Sequence, residues 1–154
     1  AAVFTTKEIA ASFEGMEFFS TFGGNPVSCA IGMAVLDVIE DDNLIENSKL
    51  MGELFIEGLT KLKERYKIIG DVRGKGLFLG IELVKDRSSL EPATKEAELL
   101  VKGMLSKNIL LSIDGPRKNV IKIKPPMVIS REDVERTILS LDEIFSKIEM
   151  HHIN

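Results

Sequence analysis

Between Gly23 and Glu40 the chain reads GGNPVSCAIGMAVLDVIE, a helix with almost no polar face. Asn25 suits the N-cap, and Pro26 suits the first helical position, where its missing N–H costs nothing. From there to about Ile39 only Ser28 and Asp37 are clearly polar, with Glu40 just beyond. A helix that is apolar nearly all round has to be buried nearly all round. A domain of this size has trouble enclosing one of its own helices. The helix therefore predicts a neighbour: another domain, another subunit, or both.

The rest of the chain is ordinary. Its 154 residues are 44% hydrophobic and 29% charged, enough for one core. The net charge is −4, with both signs interspersed, which argues against a nucleic acid or an anionic membrane as partner. The single cysteine, Cys29, cannot form an intrachain disulfide, so a reducing compartment fits. No apolar run reaches membrane-spanning length. The opening AAVFTT reads as the remnant of a strand over residues 1–6, the expectation for a piece of something longer. His151 and His152 have no third ligand beside them, so residues 151–154 read as a frayed tail and no metal site is expected.

A short helix is expected in TTKEIAASF, with Thr6 as its cap. After the apolar helix, Asn43 and Glu46 have capping-box spacing. Leu50, Met51, Leu54, Phe55, Leu59, Leu62 and Tyr66 then recur at helical intervals to about Lys67. IIGDVRGKGLFLGIELV reads as strand, glycine-rich bend, strand, with Leu77, Leu79, Ile81 and Leu83 on one face. DRSSLEP is a surface loop, and a helix follows over about 93–107. ILLSI and VIKIK are two short strands; in the second, Lys122 and Lys124 alternate with Ile121 and Ile123 as its wet face. Ser130 with Asp133 caps a last helix, whose stripe is Val134, Ile138, Leu141, Phe145 and Ile148. Met33, Met51, Met104 and Met127 read as core fillers. The sum is α+β: a small, mostly antiparallel sheet with helices packed on it.

GDVRGKG matches neither a P-loop nor a dinucleotide fingerprint, because its glycines are one residue out of place for both. Arg73 remains, with glycines beyond it. It is either an exposed arginine in a tight bend or a planar fork for a carboxylate or phosphate. STFGGNP is likewise either a hinge before a capped helix or an anion site, with Thr21 offering a hydroxyl beside a helix N-terminus. Neither a Ser-His-Asp nor a Cys-His arrangement is available, since both histidines lie at the tail.

Three stretches together, FFSTFGGNPVSCAIGMAVLDVIE, IGDVRGKGLFLGIELVKD and NVIKIKPPMVIS, resemble the C-terminal third of class III aminotransferases, in order and spacing across essentially the whole chain. These are fold-type-I enzymes that use pyridoxal 5′-phosphate. LLSIDGPRKNVIKIKPPM further resembles the branch that holds alanine–glyoxylate aminotransferase 2 and the phospho-lyases acting on ethanolamine phosphate and phosphohydroxylysine. The resemblance implies that Thr21 reaches the cofactor phosphate of the other subunit, carried by the turn of Gly23, Gly24 and Asn25. It implies that Arg73 binds the substrate carboxylate.

It also implies a departure. The family's Schiff-base lysine lies upstream of the segment matching AAVFTTKEIA, and Lys7 sits on the wrong side of that strand to replace it. No catalytic residue is thus expected in this chain, and the chain alone is expected to be inactive and not to hold the cofactor. The implied layout is a remnant of the large cofactor-binding domain with the phosphate loop over 1–25, linking helices over 26–67, and a C-terminal small domain over 68–150. The implied intact protein is a homodimer that transfers an amino group from an amino acid or amine to an oxo acid. It is cytoplasmic by default, though relatives include mitochondrial proteins. A phospho-lyase is the close alternative, and a stand-alone non-catalytic binding or assembly module the alternative of another class.

Overall fold

Hydrophobic periodicity and capping chemistry set most of the elements. The structure, a computed structural model, describes residues 2–152. It divides into two compact units at the junction of Asn43 and Leu44.

The first unit holds α1 (Lys7–Ala11) and α2 (Pro26–Asp41). Thr6 caps α1 by accepting the Ile9 N–H at 3.3 Å. Asn25 caps α2 by accepting the Ser28 N–H at 2.9 Å, and Pro26 takes the first helical position as expected. No residue of α2 is buried, and Val27, Ile31, Met33, Val35, Leu36 and Val38 are all exposed. The cover that its composition calls for is not supplied by the described residues, and Met33 is not a core filler. Residues 2–6 form no strand, because an extended segment becomes a strand only by pairing and nothing pairs with it. Ala1, where that expectation begins, lies outside the described residues.

The second unit holds α3 (Leu44–Arg65), β1 (Ile69–Lys75), β2 (Phe78–Asp86), β3 (Glu91–Pro92), α4 (Thr94–Leu105), β4 (Ser112–Asp114), β5 (Val120–Ile123) and α5 (Arg131–His152). The sheet is antiparallel throughout, in the order β1-β2-β5-β4, and β3 pairs with β2. Leu79, Ile81 and Leu83 of β2 and Ile121 and Ile123 of β5 share one face and are buried. Phe55, Leu59 and Leu62 of α3, Leu100 and Met104 of α4, and Leu141 and Phe145 of α5 complete that core. All three helices thus lie on one side of the sheet, and the other side stays open. Ser130 caps α5 as expected, its Oγ accepting the Asp133 N–H at 3.1 Å and donating to Asp133 Oδ2 at 2.7 Å. The frayed-tail expectation falls partly outside the description: α5 runs to His152, and Ile153 and Asn154 are not among the described residues.

Four local expectations fail for identifiable reasons. Asn43 is no capping-box residue, because it takes a left-handed φ of +50°, whereas an N-cap needs extended backbone. Leu50 is exposed, on the far side of α3 from Met51 and Phe55. Of ILLSI only the end becomes strand. Ser112 pairs with Lys122 and Asp114 with Val120, so extending β4 backwards would set Ile109 against Pro125, which has no N–H to give. Finally, the glycine-rich bend shrinks to Gly76 and Leu77, and Arg73, Gly74 and Lys75 all lie in β1, paired with β2. Gly76 has φ +54°, as a two-residue hairpin turn favours.

Two contacts tie α3 to this hairpin. A Cβ on Gly52 would lie 2.3 Å from the Gly76 carbonyl oxygen, so helix and turn touch backbone to backbone. Arg87, just past β2, gathers carbonyls from the last turn of α3 and the link to β1: its Nη2 donates to Lys63 O and, at 3.0 Å, to Tyr66 O. Its Nε donates to Lys67 O and Ile69 O at 3.2 and 3.1 Å.

Candidate functional site

In the first unit, the turn before α2 is held by side chains. The Gly23 N–H donates to Ser20 Oγ at 3.0 Å. Asn25 Nδ2 donates to Phe22 O and to Ser28 Oγ, each at 2.9 Å. Gly24 takes φ +70°, a conformation that glycine adopts without strain. One asparagine thus both caps the helix and fastens the loop behind it. Thr21 lies inside that fastened loop, exposed, and its hydroxyl makes no hydrogen bond among the described residues. A hydroxyl with its donor and acceptor unspent can serve one oxygen of a phosphate. In that respect Thr21 fits the cofactor group that the resemblance implies. Lys7, in the first turn of α1, is exposed.

In the second unit, the open face of the sheet carries the charges. Arg73 Nη1 donates to Asp71 Oδ2 at 2.9 Å and to Glu82 Oε2 at 2.7 Å. The hydrogen bonds to Asp71 and then Glu82, with the charges of both carboxylates, raise the pKa of the guanidinium. Burial works to raise the pKa of Asp71, but Arg73 and Lys63 outweigh it and hold the carboxyl below its usual range. Both bonds use the same nitrogen, so the edge formed by Nε and Nη2 is left to other acceptors.

Strand register sets Arg73 opposite Gly80, and Gly80 opposite Lys122. The three form one row across β1, β2 and β5, with no side chain in the middle. Lys122 Nζ donates to Asp114 Oδ2 at 2.7 Å. That bond, with the Gly115 N–H, keeps the Asp114 carboxyl below its usual range. A cavity of about 290 Å³ lies over Gly80, between the two cations. A larger cavity of about 400 Å³, lined among others by Phe55, Leu110, Pro126 and Arg136, contains none of the residues expected to be functional.

Sequence reasoning singled out Arg73 but missed Gly80, Lys122 and Asp114 beside it. Alternation places Lys122 on the wet face, yet only the pairing of β5 with β2 shows which residues it faces. Thr21, Gly23, Gly24 and Asn25 come together in the first unit, and Arg73 lies in the second.

The family described as Aminotransferase class-III matches residues 1–145 of the chain. An alanine–glyoxylate aminotransferase 2-like protein of Drosophila melanogaster is 45% identical over 150 residues, which cover 96% of this chain and 30% of the relative. An ethanolamine-phosphate phospho-lyase homolog of Caenorhabditis elegans is 44% identical over 147 residues, covering 94% and 32%. A crystallised phospholyase from Arthrobacter, in complex with phosphoethanolamine, superposes with a TM-score of 0.86 at 34% identity, covering 92% of this chain and 34% of that one. The chain therefore belongs to the class III aminotransferases. It spans about a third of the length of the relatives it matches.

Proposed function

We propose that this chain is the C-terminal part of a pyridoxal 5′-phosphate enzyme that moves an amino group between an amino acid or amine and an oxo acid. The observation that carries this reading is the family match over residues 1–145. When bound, the cofactor would act as an electron sink for the substrate carbanion. The residues here would serve binding and orientation. Thr21 would donate its hydroxyl to a phosphate oxygen from a loop kept in shape by Asn25. Arg73, already anchored by Asp71 and Glu82, would turn its free edge to a substrate carboxylate without first having to be ordered. Residues 1–25 would belong to the large domain, 26–67 would link, and 68–150 would form the small domain. The exposed apolar side chains of α2 fit burial against the rest of a homodimer.

A second reading, elimination of phosphate from a phospho-amine, is favoured by the likeness to the Arthrobacter phospholyase and by the second cation across Gly80. The test is to supply the full-length protein and the cofactor with alanine and glyoxylate in one assay and phosphoethanolamine in another. Amino transfer in the first supports the main reading, and phosphate release in the second alone replaces it. Activity in neither refutes both.

A further inference from the structure

The chain leaves β5 through Lys124, Pro125 and Pro126. Neither proline has an N–H, so the ladder cannot simply be carried on to hold this exit. A side chain holds it instead. Asn47, in the first turn of α3 and half-buried, spends its amide on two carbonyls beyond the prolines. Its Nδ2 donates to Met127 O at 2.7 Å and to Ile129 O at 3.1 Å, across 80 and 82 positions of sequence.

The start of α3 thus meets the sheet at two places. Asn47 holds the exit of β5, and Gly52 packs on the main chain of Gly76 in the β1–β2 turn. The register pairs Leu79 with Ile123, so the exit of β5 lies beside the start of β2, at the same end of the sheet as that turn. A path from Asn47 to Met127, back along β5, across to β2, through Gly76 and onto Gly52 returns to α3. These contacts form a closed ring around the start of β2. Arg73 is tied to that ring. It lies in β1 shortly before Gly76, and its Nη1 donates to Glu82 of β2. Glu82 is paired with Asp71 of β1 on one side and with Val120 of β5 on the other. A shift of β5 against β2 therefore moves a residue that aims the guanidinium.

We propose that Asn47 is a positioning residue for Arg73: by fastening the exit of β5 to α3 it keeps β5, β2 and Glu82 where the arginine is aimed. The proposal rests on the reading above in which Arg73 takes the anionic group of the substrate, and it names what keeps that fork in aim. Asn47 acts at a distance, through backbone pairing, so its loss falls on substrate binding and spares the chemical step. Misplacing an orienting group by about 1 Å can cost about 100-fold, and loosening its support costs part of that.

The test is a double-mutant cycle in the full-length enzyme, with alanine and glyoxylate or with phosphoethanolamine, whichever it turns over. Asn47→Ala should raise KM about three- to tenfold and leave kcat within about twofold. The double variant Asn47→Ala/Arg73→Met should match Arg73→Met alone, because nothing is left to aim. Asn47→Ser, which keeps a donor without its reach, should fall between parent and Asn47→Ala. Tyr66→Phe loosens the far end of α3 and should leave KM unchanged, which separates positioning from lost stability. In the ¹⁵N-labelled 154-residue chain, Asn47→Ala should shift the amides of Val120, Glu82 and Arg73 while the far-ultraviolet dichroism stays the same. An unchanged KM, amides that do not move, or an effect that simply multiplies with that of Arg73→Met overturns the proposal. If Arg73→Met raises KM and Asn47→Ala does not, the positioning role falls and the reading of Arg73 stands. If Arg73→Met leaves KM unchanged, or the enzyme turns over neither substrate, that reading falls and the proposal falls with it.

Discussion

Gly52 of α3 touches Gly76 of the β1–β2 turn so closely that a methyl group on Gly52 would sit 2.3 Å from the Gly76 carbonyl oxygen. The obstacle is main chain and cannot rotate away. Gly52→Ala should therefore destabilise the second unit by about 1–3 kcal/mol, although alanine is the better helix former by about 1 kcal/mol. A denaturant titration of the chain reads this directly, and an unchanged or higher midpoint would show that helix and turn separate at little cost.

Tyr66 stacks on Phe145, with ring centroids 5.5 Å apart, and its hydroxyl donates to Asp142 Oδ1 at 2.5 Å. Burial, reinforced by the Asp142 carboxylate, pushes the phenol up to about 12 from 10. The folded state thus keeps a proton that the unfolded chain loses first. This contribution is complete below pH 10 and is lost as pH rises towards 12. Tyr66→Phe should cost about 1 kcal/mol at neutral pH. The stability difference between parent and variant should shrink across that alkaline window. A difference that stays constant with pH would remove the linkage.

Arg73→Met in the full-length enzyme should raise KM for an anionic substrate by about 10- to 100-fold, the range for losing a hydrogen-bonded charge. Arg73→Lys should recover only part, because an ammonium keeps the charge but not the fork. Stability should change by less than about 1 kcal/mol, since the ion pairs involved are half exposed. Steady-state kinetics beside a thermal melt separate the two effects, and an unchanged KM would return Arg73 to a purely structural role.

Thr21→Val removes a hydroxyl that makes no hydrogen bond within the described residues, so the melt of the chain should not move. In the full-length protein it should weaken cofactor retention by about tenfold or more, read as the cofactor concentration that restores half the absorbance after dialysis. Equal retention would take Thr21 out of the phosphate site.

The legible parts of the fold were those set by neighbours in sequence. Asn25 and Pro26, Thr6, and Ser130 with Asp133 act within one turn, and all three caps are in place. The alternation of Leu79, Ile81 and Leu83 needed only the period of a strand. What stayed hidden depended on partners far along the chain. Ile109 to Leu111 look as apolar as any strand, but the ladder of β4 on β5 ends at the pair Ser112 and Lys122, short of them, and Ile109 would meet Pro125. Arg73 looked like a bend residue because glycines surround it, yet pairing with Gly80 keeps it in β1. The candidate site divides in the same way. Asn25 announces its loop locally, while Lys122 becomes Arg73's counterpart only once β2 is laid between them.

Arg87 lies 22 residues beyond the last helical residue of α3, yet it holds the Lys63 carbonyl of that helix's last turn together with the Tyr66, Lys67 and Ile69 carbonyls of the link to β1. The end of the helix and the link after it are thus gripped by one side chain from beyond β2. That grip can form only once β1 has been laid down, the hairpin has turned at Gly76 and β2 has returned to deliver the guanidinium. A local element and a long-range pairing are thereby welded into one cooperative step. The amides at the end of α3 and those of the β1–β2 ladder should then open together in hydrogen exchange, as a single folding unit.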